Sequence, residues 1–214
     1  GAGGTVGEEL SASPLVDMVT LTGSVEVGRQ VMRNAAANIK KVGLELGGKS
    51  PNIVFADADR EAALQGVLWG AFANAGQVCS AGSRALVERA IYEEFLAELA
   101  KRAQAIKVGP GSDPASQMGP LSSAAQLATT ERYVAIGRQE GARLLCGGQR
   151  IATEKGFFFE PTIFADVENQ MTIAQEEIFG PVLVVIPFAD EQEALRIANG
   201  TIYGLAAGVW SKDT

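Results

Sequence analysis

Cys79 stands in the run Phe72-Ala-Asn-Ala-Gly-Gln-Val-Cys79-Ser-Ala-Gly-Ser-Arg84, among small residues and directly after an apolar helical stretch. A free thiol titrates near pH ~8.5, and its thiolate is the attacking species. Gly76, Ser80, Ala81 and Gly82 leave room for a substrate, and backbone N–H groups beside the sulfur could hold an oxyanion. The same spacing equally suits a small buried hydrophobe, the usual fate of a free cysteine. Cys146, next to Leu144 and Leu145, reads as core. The chain has no histidine, which excludes Ser-His and Cys-His triads and zinc sites of the Cys/His type. A general base must then be a carboxylate, a lysine or a backbone-held water. Glu45 is the candidate: it lies between Leu44 and Leu46 before Gly47-Gly48. Buried ionised in an apolar run it would be costly, and its pKa is expected to rise toward the range of a useful base. The alternative is a residue facing solvent on an edge strand.

Three weaker patterns point to a dinucleotide. Thr22-Gly23-Ser24, between strand and helix, offers N–H groups and a hydroxyl to a phosphate. Gly1-x-Gly3-x-x-x-Gly7 departs from the G-x-G-x-x-G fingerprint, because position 6 is Val and the third glycine comes one residue late. Glu176-Glu177 beside Phe179-Gly180-Pro181 suits a ribose hydroxyl and a ring, or an acidic surface loop with an anchoring aromatic.

The elements that must position these residues alternate. Gly1 to Gly7 reads as a flexible turn before a short helix ending near Ser13-Pro14. Strands are expected at 18–22, 41–46, 52–55, 84–87, 142–145, 161–164, 182–187 and 205–210, from β-branched and apolar runs bounded by turn residues. Helices are expected after Ser24, with Val27, Val31 and Ala35 on one face; from Leu64 through Val67, Leu68, Ala71 and Phe72 to Ala75; over 91–107; and over 122–141. Asp57 and Asp59 suit the start of the second of these, and Asp190-x-x-Glu193 resembles a capping box for a helix to Asn199. Alternation of this kind predicts an α/β fold with largely parallel sheets. The Gly47-Gly48-Lys49-Ser50-Pro51 segment is the nearest thing to a domain boundary.

The 214 residues are 47% hydrophobic and 20% charged, enough for a substantial core. The net charge of -7 and the lack of any Lys/Arg cluster speak against a nucleic-acid or anionic-membrane surface. Apolar runs are too short to span a bilayer. Two cysteines are not a disulfide framework, so a reducing cytoplasm is expected. A glycine-rich start without Met predicts an internal piece of a longer protein.

Together these segments resemble the aldehyde dehydrogenase superfamily over essentially the whole chain. The matching motifs are Thr22-Gly-Ser-x-x-x-Gly28, Leu44-Glu-Leu-Gly-Gly-Lys-Ser-Pro51, Asn74-x-Gly-Gln-x-Cys79, Glu176-Glu-Ile-Phe-Gly-Pro181 and Tyr203-Gly-Leu-Ala-Ala207. The resemblance implies the end of a Rossmann-type cofactor domain at 1–47, then a catalytic domain at 48–214 that is C-terminally incomplete. It implies oxidation of an aldehyde to an acid with NAD or NADP, with Cys79 as nucleophile and Glu45 as base and no metal. It implies cofactor contacts at Gly3 and Gly7 (adenosine side), Gly23 and Ser24 (pyrophosphate), Leu46 and Gly47 (nicotinamide), and Glu177, Phe179 and Gln126 (ribose). The parent is expected to be a homodimer or homotetramer, and the isolated 214 residues to bind NAD poorly, because the oxyanion asparagine and adenine-ribose residues belong upstream of Gly1. A coenzyme-A-acylating relative typically lacks the base glutamate, so Glu45 argues against it. A structural protein on the same fold need not keep the thiol, so Cys79 argues against that.

Overall fold

The computed structural model describes residues 1–152 and 155–213. The chain divides into two compact units, Gly1–Gly47 and Gly48–Thr214.

The first unit opens with a wide helical turn over Gly3–Gly7 that runs into α1 (Glu8–Ala12). Gly1 to Gly7 is therefore not the flexible turn that its glycines predict. The Ala2 carbonyl accepts the N–H groups of Thr5 and Val6 and the Thr5 hydroxyl, which closes the turn. β1 (Met18–Thr22) and β2 (Lys41–Glu45) pair in parallel, from Met18 opposite Lys41 to Thr22 opposite Glu45. The crossover between them is α2 (Val25–Ala35), capped by the Ser24 hydroxyl, which accepts the Val27 N–H at 3.3 Å. Val31 and Ala35 are buried as their spacing predicts, but Val27 is exposed. Gly28 takes the inner position instead: any Cβ there would press on the Leu46 side chain.

The second unit holds a six-stranded sheet in the order β5 (Arg143–Cys146), β6 (Thr162–Ala165), β7 (Val182–Phe188), β4 (Arg84–Glu88), β3 (Pro51–Val54), β8 (Gly208–Trp210). All neighbours are parallel except β5 and β6. β3, β4, β6 and β7 are buried almost throughout, which is why they read as unbroken apolar runs rather than alternating ones. α3 (Arg60–Phe72) packs on α4 (Tyr92–Gln104) and β7, α4 also packs on β4, β5 and β6, and α7 (Glu191–Ala198) packs on β3 and β7. α5 (Ala124–Gln139) packs on the single turn α6 (Thr172–Gln175).

Asp59 caps α3 through the Ala62 N–H. Asp57 does not share that role. Its carboxylate accepts the Ser211 hydroxyl and the N–H groups of Lys212 and Asp213, so it anchors the segment after β8. At α7, Asp190 takes the Glu193 N–H, while the Glu193 carboxylate returns to the Ala189 N–H rather than to Asp190.

The register fixes where a site can form. Pro51 lies opposite Arg84, and Arg84 opposite Val184, so the loops leading into β3, β4 and β7 emerge side by side at the amino edge of the sheet. Ligands of doubly wound sheets usually sit at the opposite, carboxyl edge.

Candidate active site

Cys79 lies in the loop entering β4, at the second position of a turn closed by the Ala81 N–H on the Val78 carbonyl at 3.0 Å. The turn bond uses the Ala81 amide and leaves the Cys79 N–H out of it. The thiol is partly exposed, whereas that of Cys146 is buried, and both are free. Burial pushes the Cys146 thiol up to about 11, so it stays protonated and inert at neutral pH.

The cysteine loop is shaped by its backbone. The amphipathic helix expected to reach Ala75 stops at Phe72, because Asn74, Ala75 and Gly76 take positive φ of 51°, 55° and 70°. The left-handed region costs an ordinary residue roughly 1–2 kcal/mol, and such strain persists only where the surroundings impose it. Here they do: the Asn74 side chain donates to the Gln77 carbonyl, and the Gln77 side chain donates back to the Asn74 carbonyl and accepts the Ser122 N–H. Gly76 must be glycine twice over, since a Cβ would also collide with the Gly180 carbonyl. Gly76→Ala is expected to cost about 2–4 kcal/mol, read as a lower urea midpoint with unchanged slope. An unchanged midpoint would mean that the two loops do not press together.

Gly48, entering β3, joins the other two loops. A Cβ on Gly48 would collide with the Cys79 carbonyl oxygen, so the glycine backbone lies against the cysteine turn. Its N–H donates to Glu177 Oε1 at 3.3 Å. Glu177 is half-buried in the loop entering β7. Burial raises its pKa, opposed by the Gly48 N–H and by the charge of Lys49. The next residues of this loop are pinned by Gln126, whose amide donates to the Ile178 and Phe179 carbonyls, both at 2.9 Å. Its N–H groups hold the loop, so a ribose contact of Gln126 would fall to its amide oxygen. Glu176 accepts the Tyr133 hydroxyl at 2.6 Å. Phe179, at φ 56°, is 40% exposed.

The remaining expected residues belong to the first unit. Gly23 and Ser24 follow the carboxyl end of β1, and Glu45, Leu46 and Gly47 lie at that of β2; the Gly23 N–H donates to the Glu45 carbonyl at 3.0 Å. Glu45 is exposed, the second of the two placements its neighbours allow. Strand alternation explains this: Leu44 and Leu46 share a face, and Glu45 points to the other. The Leu46 side chain packs on Gly28, and the residue as a whole is half-buried. Gly3 and Gly7 are exposed, and a methyl group added at either would meet nothing within 4 Å. Among the described residues, no group of three or more His, Cys, Asp or Glu could hold a metal ion, and no helix is long and apolar enough to cross a membrane.

The aldehyde dehydrogenase family model matches residues 1–214. The chain belongs to the aldehyde dehydrogenase family. Betaine aldehyde dehydrogenase of Bacillus subtilis is 54% identical over 216 residues, covering 100% of this chain and 44% of that protein. That of Brucella ovis is 50% identical over 213 residues, covering 98% and 44%. The structure of betaine aldehyde dehydrogenase from Staphylococcus aureus in complex with NAD+ superposes with a TM-score of 0.97 at 46% identity, covering 100% of this chain and 43% of that one. This aldehyde dehydrogenase chain therefore spans under half the length of those relatives.

Sequence reasoning missed the residues behind the aldehyde dehydrogenase loops. Gly48 and Gly180 are the points of close approach, and Lys49 and Arg84 are buried cations beside them. Lys49 carried a signal, since a lysine between glycine and a buried strand has little solvent to reach. Arg84 carried none: an arginine at the start of a strand is ordinarily exposed.

Proposed function

We propose that residues 1–214 carry the nucleophile, the base and part of the cofactor surface of an NAD(P)-dependent aldehyde dehydrogenase that converts an aldehyde to a carboxylic acid. Residues 1–47 would be the end of the dinucleotide-binding domain and 48–214 the catalytic domain. The observation that carries this reading is the convergence on Gly48, whose backbone lies against the Cys79 turn while its N–H is held by Glu177.

The Cys79 thiolate adds to the aldehyde carbon, and the carbonyl oxygen becomes an oxyanion to which the Cys79 N–H would donate. The substrate C–H bond then breaks with its electron pair, leaving a thioester on Cys79. A bound nicotinamide supplies the acceptor for that hydride. Glu45 removes a proton from water as its oxygen joins the thioester carbon, the C–S bond breaks, and the thiolate leaves with the acid released. An exposed carboxylate can do this work without a histidine.

The cofactor fits the residues present. Glu177 has one oxygen on Gly48 and the other available to a ribose hydroxyl, beside the open Phe179 ring. The Ser24 hydroxyl accepts at its helix cap and still has a proton to donate to a phosphate. The Leu46–Gly47 backbone would lie by the nicotinamide, and Gly3 and Gly7 offer an uncrowded backbone toward the adenosine. Two unlinked thiols suit a cytoplasmic protein, and a homodimer or homotetramer is proposed for the full chain. Betaine aldehyde heads the substrates to try, from the named relatives, and NAD the cofactors.

The full chain, assayed with an aldehyde panel and both cofactors, tests the reading. Aldehyde-dependent reduction with matching acid formation is expected. Glu45→Gln is expected to give one equivalent of NADH per site in a burst, then a steady rate lower by about 10²–10³-fold. No reduction of either cofactor with any aldehyde would overturn it; a Glu45→Gln steady rate equal to wild type would remove the base assignment.

A further inference from the structure

The Lys49 ammonium is shut away from solvent, with the side chain only 1% exposed, and among the described residues its Nζ takes no hydrogen-bond partner. Such burial is costly unless a counter-charge offsets it. A second buried cation, Arg84, makes matters worse, and its Nε fixes the Lys49 carbonyl at 2.8 Å. Two carboxylates act on the ammonium with opposite sign, Glu177 more strongly than Glu176. Glu176 already holds the Tyr133 hydroxyl. Among the described residues, the Glu177 carboxylate accepts the N–H of Gly48, the residue directly before Lys49. One short joint thus supplies both the hydrogen bond and the charge that act on Glu177, and the same joint presses on the Cys79 carbonyl.

We propose that Lys49 is a positioning residue, whose buried ammonium keeps the Glu177 carboxylate turned toward Gly48 and so sets the group that receives the cofactor ribose. The proposal rests on the reading of Glu177 as a cofactor contact. It implies a pH dependence. Burial, and then Arg84, lower Lys49 to about 7, against the pull of Glu177 and Glu176. Tyr203, near both carboxylates, is raised by burial and stays neutral across this range. As pH rises through about 7, Lys49 loses its charge, its hold on Glu177 lapses, and cofactor affinity falls. Stability moves the other way. The folded-state pKa of about 7 lies below the ordinary lysine value of 10.5, so the unfolded chain binds more protons between the two and stability rises with pH across that window.

NADH binding to the full chain, followed by its fluorescence from pH 6 to 9, tests this with Lys49→Met, Lys49→Arg, Glu177→Gln and the Lys49→Met/Glu177→Gln double variant. Glu177→Gln and, at pH 6, Lys49→Met are each expected to weaken NADH about tenfold. The double variant is expected to be no weaker than Glu177→Gln. Wild type should lose affinity above pH 7, whereas Lys49→Arg should bind with no such fall, since its charge persists. Lys49→Met should also flatten the rise in thermal midpoint with pH, which reports that Lys49 titrates in the folded state, while the NADH profile reports its hold on Glu177. Multiplying losses in the double variant, or a flat wild-type profile, would overturn the proposal. Should Lys49→Met not fold, the wild-type profile and Lys49→Arg decide. If Glu177→Gln alone leaves NADH affinity unchanged, the cofactor reading of Glu177 fails and this proposal with it; if Glu177→Gln weakens binding and Lys49→Met does not, only this proposal fails.

Discussion

Cys79→Ala in the full chain is expected to lose aldehyde oxidation by on the order of 10⁴-fold or more in kcat/KM, because it removes the thiolate proposed to form the covalent intermediate. Its thermal midpoint should stay within about 2 °C of wild type. The reason lies in the turn: it is closed by backbone groups of Val78 and Ala81, and the sulfur is partly exposed, so alanine removes chemistry and little packing. Cys146→Ala should behave oppositely. Its sulfur is buried and contacts the Pro161 carbonyl at 3.8 Å, so removal costs roughly 1 kcal/mol and spares activity. Alkylation at neutral pH provides a check free of substrate: one equivalent of iodoacetamide should enter, at Cys79. A Cys79→Ala chain retaining a tenth of wild-type turnover would end the nucleophile assignment.

The largest expected loss of stability is at Arg84. This side chain, 1% exposed at the first residue of β4, donates to the carbonyls of Lys49 at 2.8 Å, Ile197 at 3.0 Å and Ala198 at 2.8 Å, and to Asn169 Oδ1 at 3.2 Å. Two of these are carbonyls at the carboxyl end of α7, where a cation also meets the negative end of the helix. Burial lowers Arg84 to about 10, which still leaves it charged at pH 7. Arg84→Met removes the donor from two buried and two part-buried acceptors, at about 1–3 kcal/mol for each left unpaired, and a net cost of about 3–5 kcal/mol is expected. Arg84→Lys keeps the charge but lacks the planar fork and should recover only part. Urea unfolding measures both; an Arg84→Met cost below about 1 kcal/mol would mean that these bonds are replaced by water.

The contrast between Arg84 and Cys79 marks what a linear chain discloses. Buried parallel strands such as β7 are legible because both faces are covered and the run stays apolar. Asp59 and Ser24 are legible because a cap needs one local bond. Cys79, Glu45 and Glu177 stand in short motifs and can be named by type. What joins the loops is not local. The Gly48–Glu177 bond spans 129 positions, and Gly76 meets Gly180 through two backbones whose side chains are missing, which leaves no residue-type signal. Glu45 shows a local limit: its apolar neighbours leave burial and exposure both open, and alternation along the strand decides for exposure. Asp57 is similar, since its partners at Ser211, Lys212 and Asp213 come from the far end of the second unit.

The strand order has a consequence for biosynthesis. β4 lies between β3 and β7, but β5 and β6 are made before β7. At translation rates of about 5–20 residues per second, the centre of the sheet waits roughly 5–20 s for its missing neighbour to leave the ribosome. During that interval β4 presents an open, apolar hydrogen-bonding edge, the kind of surface that chaperones shield and that nascent chains use to stick to one another. Arg84 at the head of that strand is the gatekeeper charge available to slow such pairing until β7 closes over it.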